Sequence, residues 1–255
     1  MTDCSFAGEQ KKEMRHRHHA RAPEDTRIYA IGDMHGRLDL LQKLEGKIQA
    51  DADSSGAAIR IAVYLGDYID RGPDSRALID WLIEGHLDGF ETHLLKGNHE
   101  DRMLKYLEGP NGGKRWLAIG GLETLQSYGI SAGTLPSLKQ GDQWRKELIR
   151  QLPPEHMTFL SNLEIKYECG DYLFVHAGVK PGVALEDQNV QDFLWIRDEF
   201  LGSTEDFGRM VVHGHSIGAT PQIQSNRICV DTGAYYSGHL TAAVLEGDEV
   251  WFLQT

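Results

Sequence analysis

Three times in the first half of this 255-residue chain, a short apolar run ends in glycine and an acid or amide, and a helical pattern follows. RIYAIGD (27–33) precedes RLDLLQKLEGKIQ, where Leu38, Leu41, Leu44 and Ile48 recur at helical spacing. IRIAVYLGD (59–67) precedes SRALIDWLIEG, with Asp74 or Ser75 available as its N-cap. FETHLLKGNHE (90–100) runs on into DRMLKYLEG. Successive strand–turn–helix units close most simply as crossovers, so the series predicts parallel strands with packed helices, an α/β layout. Polar residues at the carboxyl ends of such strands meet in one crevice.

The rest of the chain divides by character. Residues 1–25 lack apolar periodicity and carry RHRHH, whose histidines have the composition of a solvated tail more than of a metal site. A single domain is expected over 26–255, with a helical insertion at about 110–165 that begins at GPNGG and carries no polar cluster of its own. From 165 onward the runs IKYECGDYLFVHAGV, RMVVHGHSI and NRICVDTGAYYSGHLTAAVLEGDEVWFLQT read as strands, the last of them antiparallel.

The bulk numbers exclude some functions. With 26 basic and 38 acidic residues the formal charge is −12, which argues against gripping nucleic acid through basic stripes. No apolar run approaches the roughly 20 residues of a membrane span, and the N-terminus lacks a signal-peptide core. Cys4, Cys169 and Cys229 are odd in number and far apart, so they read as free thiols in a reducing compartment. The expectation is a cytoplasmic protein with neither nucleic-acid nor membrane partners.

The polar residues at the strand ends are Asp33 and His35, Asp67, Asn98 and His99, His176, and His215. Singly, an aspartate or asparagine after a strand is a turn residue, and a histidine is a packed one. Together they form a nitrogen and oxygen ligand set suited to manganese, iron or zinc. A cation among them would also explain why Asp67, Asp70 and Asp74 crowd the end of one buried strand, since such carboxylates repel one another.

GDMHG (32–36), GDYIDRG (66–72), GNHE (97–100), FVHAG (174–178) and VHGHS (212–216) resemble the calcineurin-like metallophosphoesterases, and most the bacterial phosphoprotein phosphatase branch. The motifs follow the family's order across residues 27–240. The resemblance implies a four-layer αββα sandwich of two mixed β-sheets. It also implies two divalent metal ions, with manganese favoured over iron, zinc or nickel. Asp33 and His35 would bind one metal, Asp67 both, and Asn98, His176 and His215 the second. The chemistry implied is in-line attack on phosphorus by a metal-bridging hydroxide. Arg71 would clamp the phosphate, Asn98 would also contact it, and Arg197, in FLWIRDEF, would be a second phosphate-binding arginine. His99 would protonate the leaving oxygen, with Asp70 orienting it. Asp74 is left as a cap, His213 as packing, and Tyr235 and Tyr236 as turn residues near the pocket. His86, His93, His156 and His239 receive no role.

Several activities share this resemblance. Nucleases and cyclic-nucleotide phosphodiesterases usually show GHxH, and Ile217 stands where that second histidine would be. Symmetrical dinucleoside tetraphosphate hydrolases are nearer, yet typically lack the aspartate before RG that Asp70 supplies. The expected activity is therefore phosphomonoester hydrolysis on a phosphorylated protein or peptide, with the dinucleoside hydrolase as alternative. A metal-binding scaffold without catalysis is disfavoured, because all the expected ligands, Arg71 and His99 are present.

Overall fold

Alternate residues of β2 (Thr26–Ile31) enter different cores: Ile28 and Ala30 face one side, Tyr29 and Ile31 the other. This division by a period of two holds throughout a computed structural model that describes residues 16–17, 19–109, 113–130 and 141–255. The first sheet has the order β1 (His16–Arg17), β11 (Glu249–Gln254), β10 (Thr241–Glu246), β2, β3 (Ile59–Tyr64), β4 (Glu91–Leu94). Its β2–β3–β4 half is parallel and its other half antiparallel. The second sheet runs β5 (Lys166–Cys169), β6 (Tyr172–Val175), β7 (Met210–His213), β9 (Arg227–Cys229), β8 (Gln222–Ile223) and is also mixed.

Ile61, Val63 and Leu65 of the first sheet share a buried cluster with Tyr172, Phe174, Met210 and Val212 of the second, so the sheets lie face to face. The outer face of the first sheet is covered by α1 (Leu38–Asp53) and α2 (Ser75–Glu84), with α3 (Asn98–Glu108) beside them. Leu173, Val175 and Val211 on the other outer face meet Phe193 of α8 (Val190–Trp195) and Phe200 of α9 (Asp198–Leu201). The result is a four-layer αββα sandwich.

Between β4 and β5 the chain forms α4 (Gly113–Trp116), a π turn at Leu117–Gly121, α5 (Leu122–Ser127), α6 (Gly141–Gln151) and α7 (Pro154–Asn162). Trp116, Leu125, Trp144 and Leu160 join the core of the first sheet, so these helices are part of its outer layer.

The expected tail ends earlier than residue 25. His16 and Arg17 pair with Val250 and Glu249, and Ala20 and Ala22 are buried between the sheets. Two small apolar residues and an open edge on β11 were enough to draw in a segment without periodicity. Cys4, His18 and residues 1–15 lie outside the described residues; Cys169 and Cys229 are free thiols. No described helix is long and apolar enough to cross a membrane.

Candidate active site

The carboxyl ends of β2, β3, β4, β6, β7 and β9 converge on one crevice where the two sheets meet. The turns that leave them are unusually bent: His35, Asp67, Asp70, Arg71 and His215 all hold positive φ, between 44° and 72°. Strain of this kind persists only where the surroundings impose it, and here it gathers around the predicted site. Glycine is obligatory where the turns touch. A Cβ on Gly97 would strike Asp67 Oδ1, and one on Gly214 would strike the Asp33 carboxylate.

Two groups of ligand atoms lie within 4.8 Å of one another: His35, Asp67 and His99, and Asp67, His176 and His215. Asp67 is common to both. The protonation pattern around them suits a cation. Nδ1 of His176 donates to the Leu65 carbonyl at 2.8 Å, which leaves a lone pair on Nε2. That lone pair faces Asn98 Oδ1 at 2.8 Å, His215 Nδ1 at 3.2 Å and Asp67 Oδ1 at 3.5 Å. His35 is arranged likewise, with Nδ1 donating to Ile69 O at 2.9 Å. Burial pushes His35, His176 and His215 down, His215 to about 2, so these imidazoles are neutral donors of electron pairs.

Asp33 is placed differently. It belongs to neither tight group; its carboxylate accepts the His215 N–H at 3.0 and 3.1 Å. Burial, then Asp231 and Asp67, push its pKa well up. Three buried carboxylates with neutral imidazoles and Arg71 as the near cation form a donor set that a divalent ion would neutralise.

His99 and Asp70 form a buried pair, Nδ1 to Oδ2 at 2.6 Å. Burial alone would lower the imidazole pKa, but Asp67 and Asp70 raise it. Arg71 donates through Nη1 to His35 Nε2 at 3.0 Å and through Nη2 to His99 Nε2 at 3.1 Å, and its guanidinium lies 4.9 Å over the Tyr235 ring. A cation taking the His35 lone pair would release that N–H for a substrate oxygen. Arg197 caps α9, is exposed, and makes no ion pair with Asp198 or Glu199; its charge depresses His176 and His215. His213 is a core residue, packed edge-on to Phe200. Tyr235 borders an open cleft of about 460 Å³ with Arg71, Ala118, Ile119, Gly120 and Glu123.

Several supporting residues escaped the sequence reading. Asp70 also accepts from Trp116 Nε1 at 2.9 Å and Thr124 Oγ1 at 2.6 Å, and the Arg71 N–H donates to Gly120 O at 3.1 Å. The insertion, read as lacking site residues, therefore holds both Asp70 and Arg71. Glu100 accepts the N–H groups of Gly97, Asp67, Tyr68 and Ile69, fixing the loop that carries Asp67. Burial and Asp67 push its carboxyl up to about 8, while those donors favour the anion. Asp231 follows β9 as Asp33 follows β2, so the rule that found Asp33 could have found it.

The profile of the calcineurin-like phosphoesterases matches residues 26–219. The chain is 28% identical over 237 residues to the asymmetrical bis(5'-nucleosyl)-tetraphosphatase PrpE of Bacillus cereus strain 03BB102, covering 83% of this chain and 87% of that one. A solved structure provisionally assigned as a diadenosine tetraphosphatase superimposes with a TM-score of 0.61 at 21% identity, over 92% of this chain and 98% of its own. A cold-active protein-tyrosine phosphatase of a psychrophilic Shewanella gives 0.56 at 18%, over 92% and 82%. The likeness to both structures is one of fold.

Proposed function

The chain belongs to the calcineurin-like phosphoesterases, and from that premise we propose that it hydrolyses bis(5'-nucleosyl) tetraphosphates asymmetrically. The observation that carries this reading is the likeness to the asymmetrical tetraphosphatase along most of both chains. The expected ranking put phosphoprotein first and the symmetrical dinucleoside hydrolase second; the likeness supports a dinucleoside tetraphosphate substrate, cut asymmetrically, over phosphoprotein. Asp70 set that ranking by separating this chain from symmetrical hydrolases, and it says nothing against asymmetrical ones.

Divalent cations, when bound, would lower the pKa of a shared water and hold phosphoryl oxygens. Asp67, with His35 on one side and Asn98, His176 and His215 on the other, would hold them, and Asp33 would complete the first position. Arg71 would take two oxygens of the phosphoryl group, which a planar guanidinium fits. His99 Nε2 accepts from Arg71 here; with Arg71 turned to the substrate it would carry a proton and give it to the leaving oxygen while Asp70 holds the ring. Manganese suits this mixed donor set, and family members use divalent metals.

One observation favours a second reading, phosphomonoester hydrolysis on a protein. A serine or tyrosine leaving group is far more basic than a nucleotide phosphate and needs an acid, which the 2.6 Å Asp70–His99 pair supplies. The test is product analysis from diadenosine tetraphosphate beside phosphoserine, phosphothreonine and phosphotyrosine peptides, with Mn(II) and a chelator control. Chelator-sensitive formation of ATP and AMP is expected. Phosphate release from a peptide with the dinucleotide intact would replace the first reading by the second.

A further inference from the structure

On the side of the crevice formed by the second sheet, Arg102 and Trp195 make an arrangement that none of the roles above uses. Arg102 lies on α3 one turn beyond Asn98, so both project from the same face of that helix. Its guanidinium carbon stands 4.4 Å from the centre of the Trp195 ring. That ring is edge-on to the His215 imidazole, 6.3 Å between centres at 80°. Arg102 is therefore one ring removed from an end of the ligand cluster.

The donors in this corner lack acceptors. Among the described residues Arg102 makes no hydrogen bond or ion pair; the indole is its one recorded partner. The Trp195 Nε1 is buried and also without an acceptor. Arg197, two residues further, makes no ion pair with a carboxylate among the described residues. The indole face holds the guanidinium carbon at 4.4 Å and takes up none of its N–H groups, which leaves them available to phosphate oxygens. A fork fixed in advance loses little freedom on binding.

We propose that Arg102, seated on Trp195, forms a subsite for the phosphates adjoining the one that reacts, so that the crevice grips a linear polyphosphate chain. A lone phosphoryl group would be held by the inner residues and would not reach this corner. The substrate this implies rests on the dinucleoside tetraphosphate reading; the subsite itself would accept any short polyphosphate. An Arg102 that merely shields an indole from water would give no preference for a chain over a single phosphate.

The test is competitive inhibition of nitrophenyl phosphate hydrolysis by orthophosphate and by tripolyphosphate, with free Mn(II) held constant. Wild-type enzyme should bind tripolyphosphate more tightly. Arg102→Ala should cut that preference about tenfold, the effect of losing one charge-assisted contact, and Arg102→Lys should restore part of it. The ratio of the two inhibition constants is independent of how much variant is folded. A ratio unchanged in Arg102→Ala, or no preference in the wild type, overturns the subsite. Preference for tripolyphosphate with diadenosine tetraphosphate left intact would sink the dinucleoside reading and keep the subsite.

Discussion

Replacing Thr124 by valine removes one hydroxyl beside the Asp70–His99 pair and keeps the side-chain shape. In the native fold this hydroxyl donates to Asp70 Oδ1 at 2.6 Å and accepts the Asp70 N–H at 2.9 Å. The N–H retains Ser75 Oγ at 3.1 Å, so the losses are one hydrogen bond to a carboxylate and the longer 3.1 Å hydroxyl contact with Ser75, of which the first is the larger. Asp70 and Thr124 are both fully buried, and water cannot substitute for the lost donor. A hydrogen bond to a charged group contributes about 1.5–3 kcal/mol, so Thr124→Val should lose about 2 kcal/mol of stability. The assay is urea unfolding with metal chelated, read as a lower midpoint at unchanged slope. Because Asp70 then holds His99 less firmly, turnover should fall more for phenyl phosphate than for nitrophenyl phosphate. Thr124→Ser, which restores the hydroxyl, should recover both properties. A valine variant within about 0.5 kcal/mol of wild type, the size of an ordinary surface change, would refute the argument, as would a serine variant no better than valine.

Three further outcomes are expected. Asp67→Ala removes the carboxylate common to both ligand groups, so bound manganese should fall from two ions to at most one per chain by metal analysis; two ions retained would contradict the assignment. His99→Gln should keep the metals, and its rate deficit should shrink as the leaving group becomes less basic. An equal deficit on phenyl and nitrophenyl phosphates would remove its role as acid. Burial pushes the Cys229 thiol up to about 12, so at pH 8 about one in ten thousand is thiolate, and native protein should resist alkylation there until unfolded. Rapid native labelling of Cys229 would show that its burial is misjudged.

The candidate ligands were legible because each follows a strand that the sequence announces by itself. Asp33, Asp67, Asn98, His176 and His215 sit one to four residues past an apolar run, and a local rule suffices to find them. Thr124 and Trp116 stand 54 and 46 residues from the aspartate they serve, on helices whose pattern records only core packing. Nothing local marks them. Glu100 lay inside a recognised motif, but its four backbone partners are visible only once two turns are folded together. The same limit applies to topology. The three crossover units indicated parallel strands, whereas the return of β10 to the far side of β2 depends on which edge remained open.

The crevice draws its candidate ligands from both sheets, and residues as distant as Asp33 and His215, 182 positions apart, touch there. Ions seated between them would act as removable cross-links closing very long loops. In a chain whose two described cysteines stay unpaired, they would take the place that disulfides hold in secreted domains. A cross-link of that span removes much loop-closure entropy from the unfolded ensemble, and the gain grows only slowly with loop length. Metal supply would then govern how long the protein survives unfolding and proteolysis as well as how fast it turns over, through the mass action of a ligand that binds the native state alone.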